Sequence, residues 1–117
     1  MKIYGNGNQT RSFLYISDCI EIFYKIFLKN NLKNQVINIG NNKETTIKEL
    51  ANRIIKLTNS KSKIKFVKVN NKSKMKKSGY EDILRRVPSV KKQMNITKFK
   101  PQISLDEGLK KFMLSLR

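Results

Sequence analysis

The fold is best predicted from one stretch near the start of the chain, Gly5-Asn6-Gly7-Asn8-Gln9-Thr10-Arg11-Ser12-Phe13-Leu14-Tyr15-Ile16-Ser17-Asp18. This stretch carries Arg11 at the exit of a glycine- and asparagine-rich loop and at the start of a β-type run. Residues 13–16 predict a short strand. Ser17 or Asp18 is expected to cap the next helix, because a short polar side chain can accept the unpaired N–H groups of a first turn. The stretch therefore predicts a strand that passes directly into a helix, with an arginine beside the junction.

Two further strands and one polar segment are predicted downstream. Residues 36–39 alternate in part between apolar and polar side chains and stop at Gly40, and residues 64–69 alternate over a longer run. Residues 70–79 are rich in lysine and show no apolar period, which predicts a mobile loop. With the helices between them, these segments give the order strand–helix–strand–helix–strand–loop–helix–helix, which is an α/β arrangement.

Two of the predicted helices begin with a capping box, in which a Ser or Thr hydroxyl and a Glu carboxylate three residues later each satisfy an unpaired backbone N–H. Thr46 and Glu49 form one box, and Ser104 and Glu107 form the other. A shorter helix is predicted between them, with Ser89 as its cap. Apolar residues follow both boxes at helical spacing, so each of these helices has a face to bury.

The composition limits the class of protein. The 117 residues include 26 Lys and Arg against 8 Asp and Glu, and the net charge of +18 would attract polyanions and oppose compaction. No apolar run approaches the ~20 residues that a transmembrane helix needs, and the start lacks the apolar core of a signal peptide. Cys19 is the single cysteine and no His is present, so neither an internal disulfide nor a zinc site can form. We therefore expect one small cytoplasmic domain without a metal or a membrane span.

The high positive charge also supports an alternative, a basic nucleic-acid-binding module. Eight lysines lie around Phe66, namely Lys61, Lys63, Lys65, Lys68, Lys72, Lys74, Lys76 and Lys77. Single lysines at alternating strand positions are equally typical of a solvated face, however, and no aromatic stacking platform accompanies them. Salt tests this alternative, because general attraction of polyanions to a basic surface weakens steeply as the salt concentration rises to about 200 mM.

Short recognisable sequence motifs follow one another along nearly the whole chain. The opening stretch fits G-x-G-x-Q-x-R-x-F-x-Y-V-x-D, and residues 36–40 and 46–51 fit (F/Y)-N-(I/L)-G and T-(I/M)-x-E-L-A. Residues 79–89 fit an acidic segment followed by R-R-x-P-D, with Ser89 in the place of Asp. Residues 98–109 fit W-x-P-x-(V/I)-x-L-x-E-G-L, with Phe99 in the place of Trp. In this order the motifs resemble those of the extended short-chain dehydrogenases/reductases, the NAD-dependent epimerases, dehydratases and decarboxylases of nucleotide sugars.

The resemblance implies a binding site for a nucleotide sugar. Ile3 and Tyr4 match the strand that lines the nucleotide base in similar enzymes, and Gln9 and Arg11 match residues near the ribose and the diphosphate. Arg86 matches a second diphosphate arginine. Arginine suits this role because its planar fork of donors stays charged and fits phosphate oxygens. No catalytic residue and no metal ligand is expected in this set.

Two features of the family's hydride chemistry are missing from the sequence. The run Gly5-x-Gly7-x-x-Thr10 lacks the third glycine of a dinucleotide fingerprint, and a β-type run follows it where a helix is required. None of the four tyrosines has a lysine four residues later, so the Tyr-x-x-x-Lys acid–base pair is missing too. The expected fold is therefore the C-terminal substrate-binding portion of an extended Rossmann-type short-chain dehydrogenase/reductase, spanning residues 1–117, without the dinucleotide-binding half.

The function that this resemblance implies is the binding of a UDP- or dTDP-sugar as part of an NAD-dependent sugar epimerase, dehydratase or decarboxylase, in a truncated or split form. The intact family enzyme uses NAD, whereas this chain alone is expected to bind none and to be inactive. A separately encoded N-terminal Rossmann half is the expected protein partner. Without that half, the helices expected to begin at Asp18 and Thr46 should expose apolar faces.

Overall fold

The chain divides into two units, each built from segments that are distant in sequence. The computed structural model describes residues 1–68 and 83–116. Of these residues, the first unit contains 1–11, 45–68 and 83–86, and the second contains 12–44 and 87–116.

The described residues form five short strands and four helices. The strands are β1 (Lys2–Tyr4), β2 (Thr10–Ser12), β3 (Glu44–Thr46), β4 (Lys65–Val67) and β5 (Arg85–Arg86), and the helices are α1 (Ile16–Phe27), α2 (Ile47–Leu57), α3 (Lys91–Thr97) and α4 (Leu105–Leu114). One sheet consists of β1 and β4, which run parallel, and the other has the order β3-β2-β5, with β2 parallel to β5. The α/β class predicted from the sequence is confirmed.

The first unit is organised around the glycine loop and the beginning of α2. Gly5 and Gly7 have φ values of +79° and +76°, which glycine adopts without the steric cost that a side chain would bring. The Ile47 N–H donates to the Gln9 carbonyl at 3.1 Å, and the Lys48 N–H donates to the Gly7 carbonyl at 3.0 Å. The loop thus supplies acceptors for the N–H groups that a helix leaves unpaired in its first turn.

Only the hydroxyl bond of each predicted capping box forms. The Thr46 hydroxyl accepts the Glu49 N–H at 3.0 Å, and the Ser104 hydroxyl accepts the Glu107 N–H at 3.2 Å. Both glutamate carboxylates form an ion pair with a basic residue four positions later, at 2.6 and 3.1 Å. The two N-caps are therefore confirmed, and the two carboxylates form ion pairs on the helix surface.

The side-chain cap predicted for α1 is wrong. The helix begins at Ile16, so Ser17 and Asp18 lie inside its first turn. Asp18 is buried, and its Oδ2 accepts the backbone N–H groups of Gln102 at 3.0 Å and Ile103 at 2.9 Å. Two charge-assisted bonds to distant backbone outweigh one local cap. Asp18 therefore ties α1 to the segment that leads into α4.

The strand predicted at residues 36–39 does not form. The next residue, Gly40, bonds to a side chain and not to a neighbouring strand. The Gly40 N–H donates to Gln93 Oε1 at 2.8 Å, and the Gly40 carbonyl accepts from Gln93 Nε2 at 3.2 Å. Gln93 has no exposed surface. A side chain on Gly40 would come within 2.6 Å of Pro88 Cγ. A strand needs a partner backbone, and among the described residues none pairs with this segment.

Other predicted boundaries shift or fail. The strand predicted at residues 13–16 does not form, since β2 ends before it and α1 begins at Ile16, whereas the strand predicted at 64–69 shortens to β4. Ser89 does not cap α3, which begins after Val90 without a side-chain cap. The lysine-rich loop at 70–79 lies outside the described residues.

Little apolar surface is buried in either unit. The buried apolar residues of the described segments are Ile3 and Ala51 in the first unit and Ile22 and Val90 in the second. The apolar side chains of α2 are half-buried, whereas those along one face of α1 are exposed. The expected exposure is therefore confirmed for α1 and is wrong for α2.

Candidate functional site

The two predicted diphosphate arginines lie side by side on paired parallel strands. In the register of β2 and β5, Thr10 stands opposite Arg85, and Arg11 stands opposite Arg86. The Thr10 N–H donates to the Leu84 carbonyl at 2.8 Å, one residue before β5 begins. Neighbouring strands are about 4.8 Å apart, so two arginines that are far apart in sequence become immediate neighbours.

The guanidinium of Arg11 is oriented by backbone carbonyls. Its Nη1 donates to the carbonyls of Thr10 and Ile83, both at 2.8 Å. The Arg11 side chain is half-buried and that of Arg86 is exposed. Because the two bonds hold the planar group in one orientation, Arg11 would lose less conformational freedom on binding an anion than an unrestrained arginine does.

The remaining predicted site residues lie in the same unit as the arginines. Ile3 is buried in β1, so its side chain belongs to the core, whereas Tyr4 at the end of β1 is 64% exposed. Gln9 is buried, and its Nε2 donates to the Tyr4 carbonyl at 3.1 Å. The structure thus brings Gln9 to the end of β1 and presents the ring of Tyr4 to solvent.

A further basic residue, Arg85, precedes the predicted site residue Arg86. It lies on β5 opposite Thr10 and is exposed. Successive residues of a strand point to opposite faces of the sheet, so Arg85 and Arg86 cannot both stand beside Arg11. The motif match selects Arg86 from the Arg-Arg doublet, and the strand register places that residue opposite Arg11.

The Gly5–Gly7 turn does not fit a dinucleotide. In a dinucleotide site the N–H groups at a helix N-terminus face the pyrophosphate. Here the first N–H groups of α2 donate to the Gln9 and Gly7 carbonyls, and the chain continues from the turn into β2. These glycines therefore serve a structural turn. That the chain alone binds no NAD stays a prediction.

Residues 1–68 and 83–116 contain neither a candidate metal site nor a candidate membrane span. In that part of the chain no cluster of three His, Cys, Asp or Glu residues could hold a metal ion. None of its helices has the length and apolarity needed to cross a bilayer. Cys19 is half-buried. The cytoplasmic location expected from the sequence stays a prediction.

A family model described as GDP-mannose 4,6-dehydratase matches residues 1–112. The chain belongs to that family. Within the family, the UDP-N-acetyl-α-D-glucosaminuronate decarboxylase of Bacillus cytotoxicus is 38% identical over 108 residues, which are 92% of this chain and 32% of the relative. The UDP-glucuronic acid decarboxylase 1 of Danio rerio is 33% identical over 111 residues, 95% of this chain and 24% of the relative. The chain thus spans between about a quarter and a third of the length of these curated relatives.

A solved structure shows the same fold. The UDP-glucuronic acid 4-epimerase from Bacillus cereus, in complex with UDP-glucuronic acid and NAD, matches 99% of this chain with a TM-score of 0.79, at 24% identity. This chain covers 35% of that protein. Membership of the NAD-dependent sugar epimerases, dehydratases and decarboxylases, with the extended short-chain dehydrogenase/reductase fold, is therefore confirmed. The comparisons do not support the nucleic-acid alternative.

Proposed function

We propose that this chain is the nucleotide-sugar-binding part of an NAD-dependent sugar epimerase, dehydratase or decarboxylase, in a split or truncated form. The pairing of Arg11 with Arg86 carries the proposal, because it sets two arginine residues directly opposite each other on neighbouring strands of one sheet. Two such groups match the two phosphates of a nucleoside diphosphate sugar. The names of both decarboxylase relatives specify a UDP-sugar acid, which favours UDP as the nucleotide.

Each site residue has a separate role in this proposal. Arg11 and Arg86 bind the diphosphate, and a hydrogen bond to a charged group contributes about 1.5–3 kcal/mol. Gln9 lies near the ribose, and Tyr4 lies near the base, with Ile3 supporting the strand from the core. The diphosphate would act as an anchor that positions the sugar for chemistry, which is a contribution of orientation and not of proton transfer.

NAD supplies the hydride chemistry of the intact family enzymes, and we assign its binding to polypeptide outside the matched region. The Gly5–Gly7 turn is engaged by α2, and no tyrosine of the chain has the lysine of the acid–base pair. Sequencing the transcript for several hundred bases upstream of Met1 tests this assignment. A reading frame with a glycine-rich turn and Tyr-x-x-x-Lys would support a two-part enzyme, and its absence would leave a sugar-nucleotide-binding fragment.

Calorimetric titration of the chain with UDP-glucuronic acid at about 200 mM salt tests the binding site. Replacing Arg86 by alanine should raise the Kd roughly tenfold to 150-fold, since about 1.5–3 kcal/mol is lost. Arg53→Ala is the matched control, because it removes the same charge from an arginine that pairs with Glu49 on α2. Arg86→Lys keeps the charge but loses the fork, so an intermediate Kd is expected.

The control variant distinguishes specific binding at the arginine pair from general electrostatic attraction of an anion to a basic protein. Equal weakening by Arg86→Ala and Arg53→Ala would mean that only net charge matters and would contradict the arginine pair. Affinity that disappears between 50 and 200 mM salt in the wild-type chain would contradict it as well.

A further inference from the structure

Residues 6 and 7 form an Asn-Gly pair, and no other asparagine of the chain precedes a glycine. Such a pair is prone to lose the side-chain amide of the asparagine, because glycine has no side chain to shield its backbone nitrogen. That nitrogen can attack the side-chain carbonyl carbon of the preceding asparagine and close a five-membered ring. Here the pair lies in the turn that follows β1, a few residues before Gln9 and Arg11.

The side chain of Asn6 is folded back along this turn. Its Oδ1 accepts the Asn8 N–H at 2.9 Å. The ring that this hydrogen bond closes contains both the Asn6 carbonyl carbon Cγ and the Gly7 nitrogen, so it keeps the two atoms within one turn. Asn6 is exposed, so water and hydroxide reach its amide. The turn therefore holds the group to be attacked near the attacking atom and open to solvent.

The Gly7 nitrogen is not engaged in another bond. Among residues 1–68 and 83–116 its N–H has no hydrogen-bond partner, whereas its carbonyl accepts the Lys48 N–H at 3.0 Å. Gly7 is buried on the side of its Cα, where an added Cβ would meet the side chains of Lys48 and Phe66 at 3.0 and 3.1 Å. A backbone N–H without a partner gives up its proton more readily than a bonded one. The fold thus fixes Gly7 through its carbonyl and its Cα and leaves the nitrogen available.

The Asn8 N–H lies where the reaction develops negative charge. Attack on Cγ turns Asn6 Oδ1 into an oxyanion, and a donor 2.9 Å away is within the range that stabilises such a charge. A flexible chain must bring this donor into place during the reaction, whereas here the turn supplies it beforehand. The hydrogen bond that shapes the turn therefore also lowers the barrier to ring closure.

We propose that Asn6 is a spontaneous modification site, at which the Gly7 nitrogen displaces the side-chain amide of Asn6 as ammonia. Hydroxide takes the Gly7 proton, the bond between the Gly7 nitrogen and Cγ forms, and the bond from Cγ to Nδ2 breaks as water protonates the leaving group and restores hydroxide. Water then opens the cyclic imide. Cleavage at Cγ gives aspartate, and cleavage at the Asn6 backbone carbonyl gives isoaspartate. No oxidant, reductant or enzyme is required.

Isoaspartate would change the turn by more than its added negative charge. Its main chain runs through the former side chain and is longer by one methylene group, between Gly5 and the Gly7 carbonyl that accepts the Lys48 N–H. The turn depends on positive φ values at both glycines, and an extra atom between them changes their spacing. We therefore expect the modification to release the first turn of α2 from the loop. This expectation does not rest on sugar-nucleotide binding.

Incubation of the full chain at neutral pH and physiological temperature tests the site. Isoaspartate is followed by mass spectrometry of the peptide that contains Asn6 and by labelling with an isoaspartyl methyltransferase. A synthetic peptide of residues 4–11 is the reference, because it has the same covalent neighbours without the bonds to α2. The full chain should form isoaspartate about fivefold faster than the peptide, which corresponds to about 1 kcal/mol in the barrier, the contribution of one hydrogen bond.

Two variants of the full chain separate the site from its surroundings. Asn6→Gln should abolish the modification, because a longer side chain closes the less favourable six-membered ring. Asn8→Gln is the matched control, since it changes an exposed side chain of the same turn and keeps the backbone donor. It should form isoaspartate at the wild-type rate.

Three outcomes would overturn the proposal. Isoaspartate formation no faster in the full chain than in the peptide would show that the fold does not promote the reaction. Aspartate without isoaspartate would exclude the cyclic intermediate. In the modified chain the Lys48 amide should exchange its hydrogen about fivefold faster and the Ile54 amide, further along α2, at the unmodified rate, so an unchanged Lys48 rate would contradict the release of α2. Isoaspartate is measured whether or not the chain binds UDP-glucuronic acid, so this proposal and the proposed function can fail separately.

Discussion

Replacing Gln93 by leucine should destabilise the second unit strongly. Gln93 has no exposed surface, and its amide makes two bonds with the backbone of Gly40, at 2.8 and 3.2 Å. Leucine has a similar volume but can neither donate nor accept, so one N–H and one C=O would stay buried without partners. Each such group costs about 1–3 kcal/mol. After some return from the added apolar burial, we expect a loss of about 2–5 kcal/mol in the free energy of unfolding.

Urea unfolding followed by circular dichroism measures this loss. Gln102→Leu is the matched control, because the Gln102 side chain is exposed and makes one bond, to the Lys100 carbonyl at 2.7 Å. Its cost should stay within about 1 kcal/mol. Hydrogen exchange adds a local measurement, since the Gly40 amide should exchange faster in Gln93→Leu and at the wild-type rate in Gln102→Leu.

Unfolding of the two leucine variants at the same urea concentration with the same slope would contradict a stabilising role for the Gln93 amide. Destabilisation of Gln93→Leu with unchanged protection of the Gly40 amide would contradict it as well, because the loss would then come from packing. Gln93→Glu separates the two bonds. It keeps an acceptor for the Gly40 N–H but places a buried carboxylate oxygen against the Gly40 carbonyl, so it should be at least as destabilising as leucine.

Three further changes test other parts of the fold by the same unfolding measurement. Asp18→Ala leaves two backbone N–H groups without their acceptor and should lower the free energy of unfolding by about 2–5 kcal/mol. Its control, Glu21→Ala, removes an exposed ion pair from the same helix and should cost about 0.5 kcal/mol. Equal costs would contradict the role of Asp18 in linking α1 to the segment before α4. Gly7→Ala and Gly5→Ala both force a side chain into a positive φ, but only at Gly7 would the new Cβ meet neighbours at 3.0 and 3.1 Å, so Gly7→Ala should cost about 1 kcal/mol more. Thr46→Ala should cost about 1 kcal/mol through the lost cap of α2, and no change would show that the glycine loop alone holds the first turn.

Helices with local start signals could be predicted from the sequence. Thr46 and Ser104 cap α2 and α4 as expected, because a cap involves residues only three positions apart. The predicted start of α1 is too late, since Asp18 has the side chain of a cap but binds backbone more than 80 residues away. A short-range pattern cannot show that a long-range acceptor is needed.

Strands were harder to predict, because a strand is defined by its partner. Residues 36–39 have the alternation of a strand, and their burial alternates as expected, yet no described segment pairs with them. Conversely, β5 consists only of Arg85 and Arg86, too short for any periodicity, and it exists because β2 pairs with it. Partner choice depends on the whole fold and is invisible in a window of a few residues.

The candidate site was predicted through family motifs and not from charge. In a chain with 26 basic residues, nothing in the composition singles out Arg11 or Arg86. The motif match selected them, and the strand register then placed them next to each other. The burial of Ile3 and the bond from Gln9 to the Tyr4 carbonyl required coordinates, since both depend on how β1 meets the loop.

The bonds between the glycine loop and α2 bear on whether this site could be transplanted. Gly7 and Gln9 are fastened to the first N–H groups of a helix that begins some forty residues later, and Arg11 follows Gln9 by two positions. A peptide or graft containing only the opening motif would therefore lack the hydrogen bonds to α2 that hold the loop in this conformation. The smallest transferable part of the candidate site must therefore include α2, and a sequence that copies the motif alone is expected to match without reproducing the arrangement of Gly7, Gln9 and Arg11.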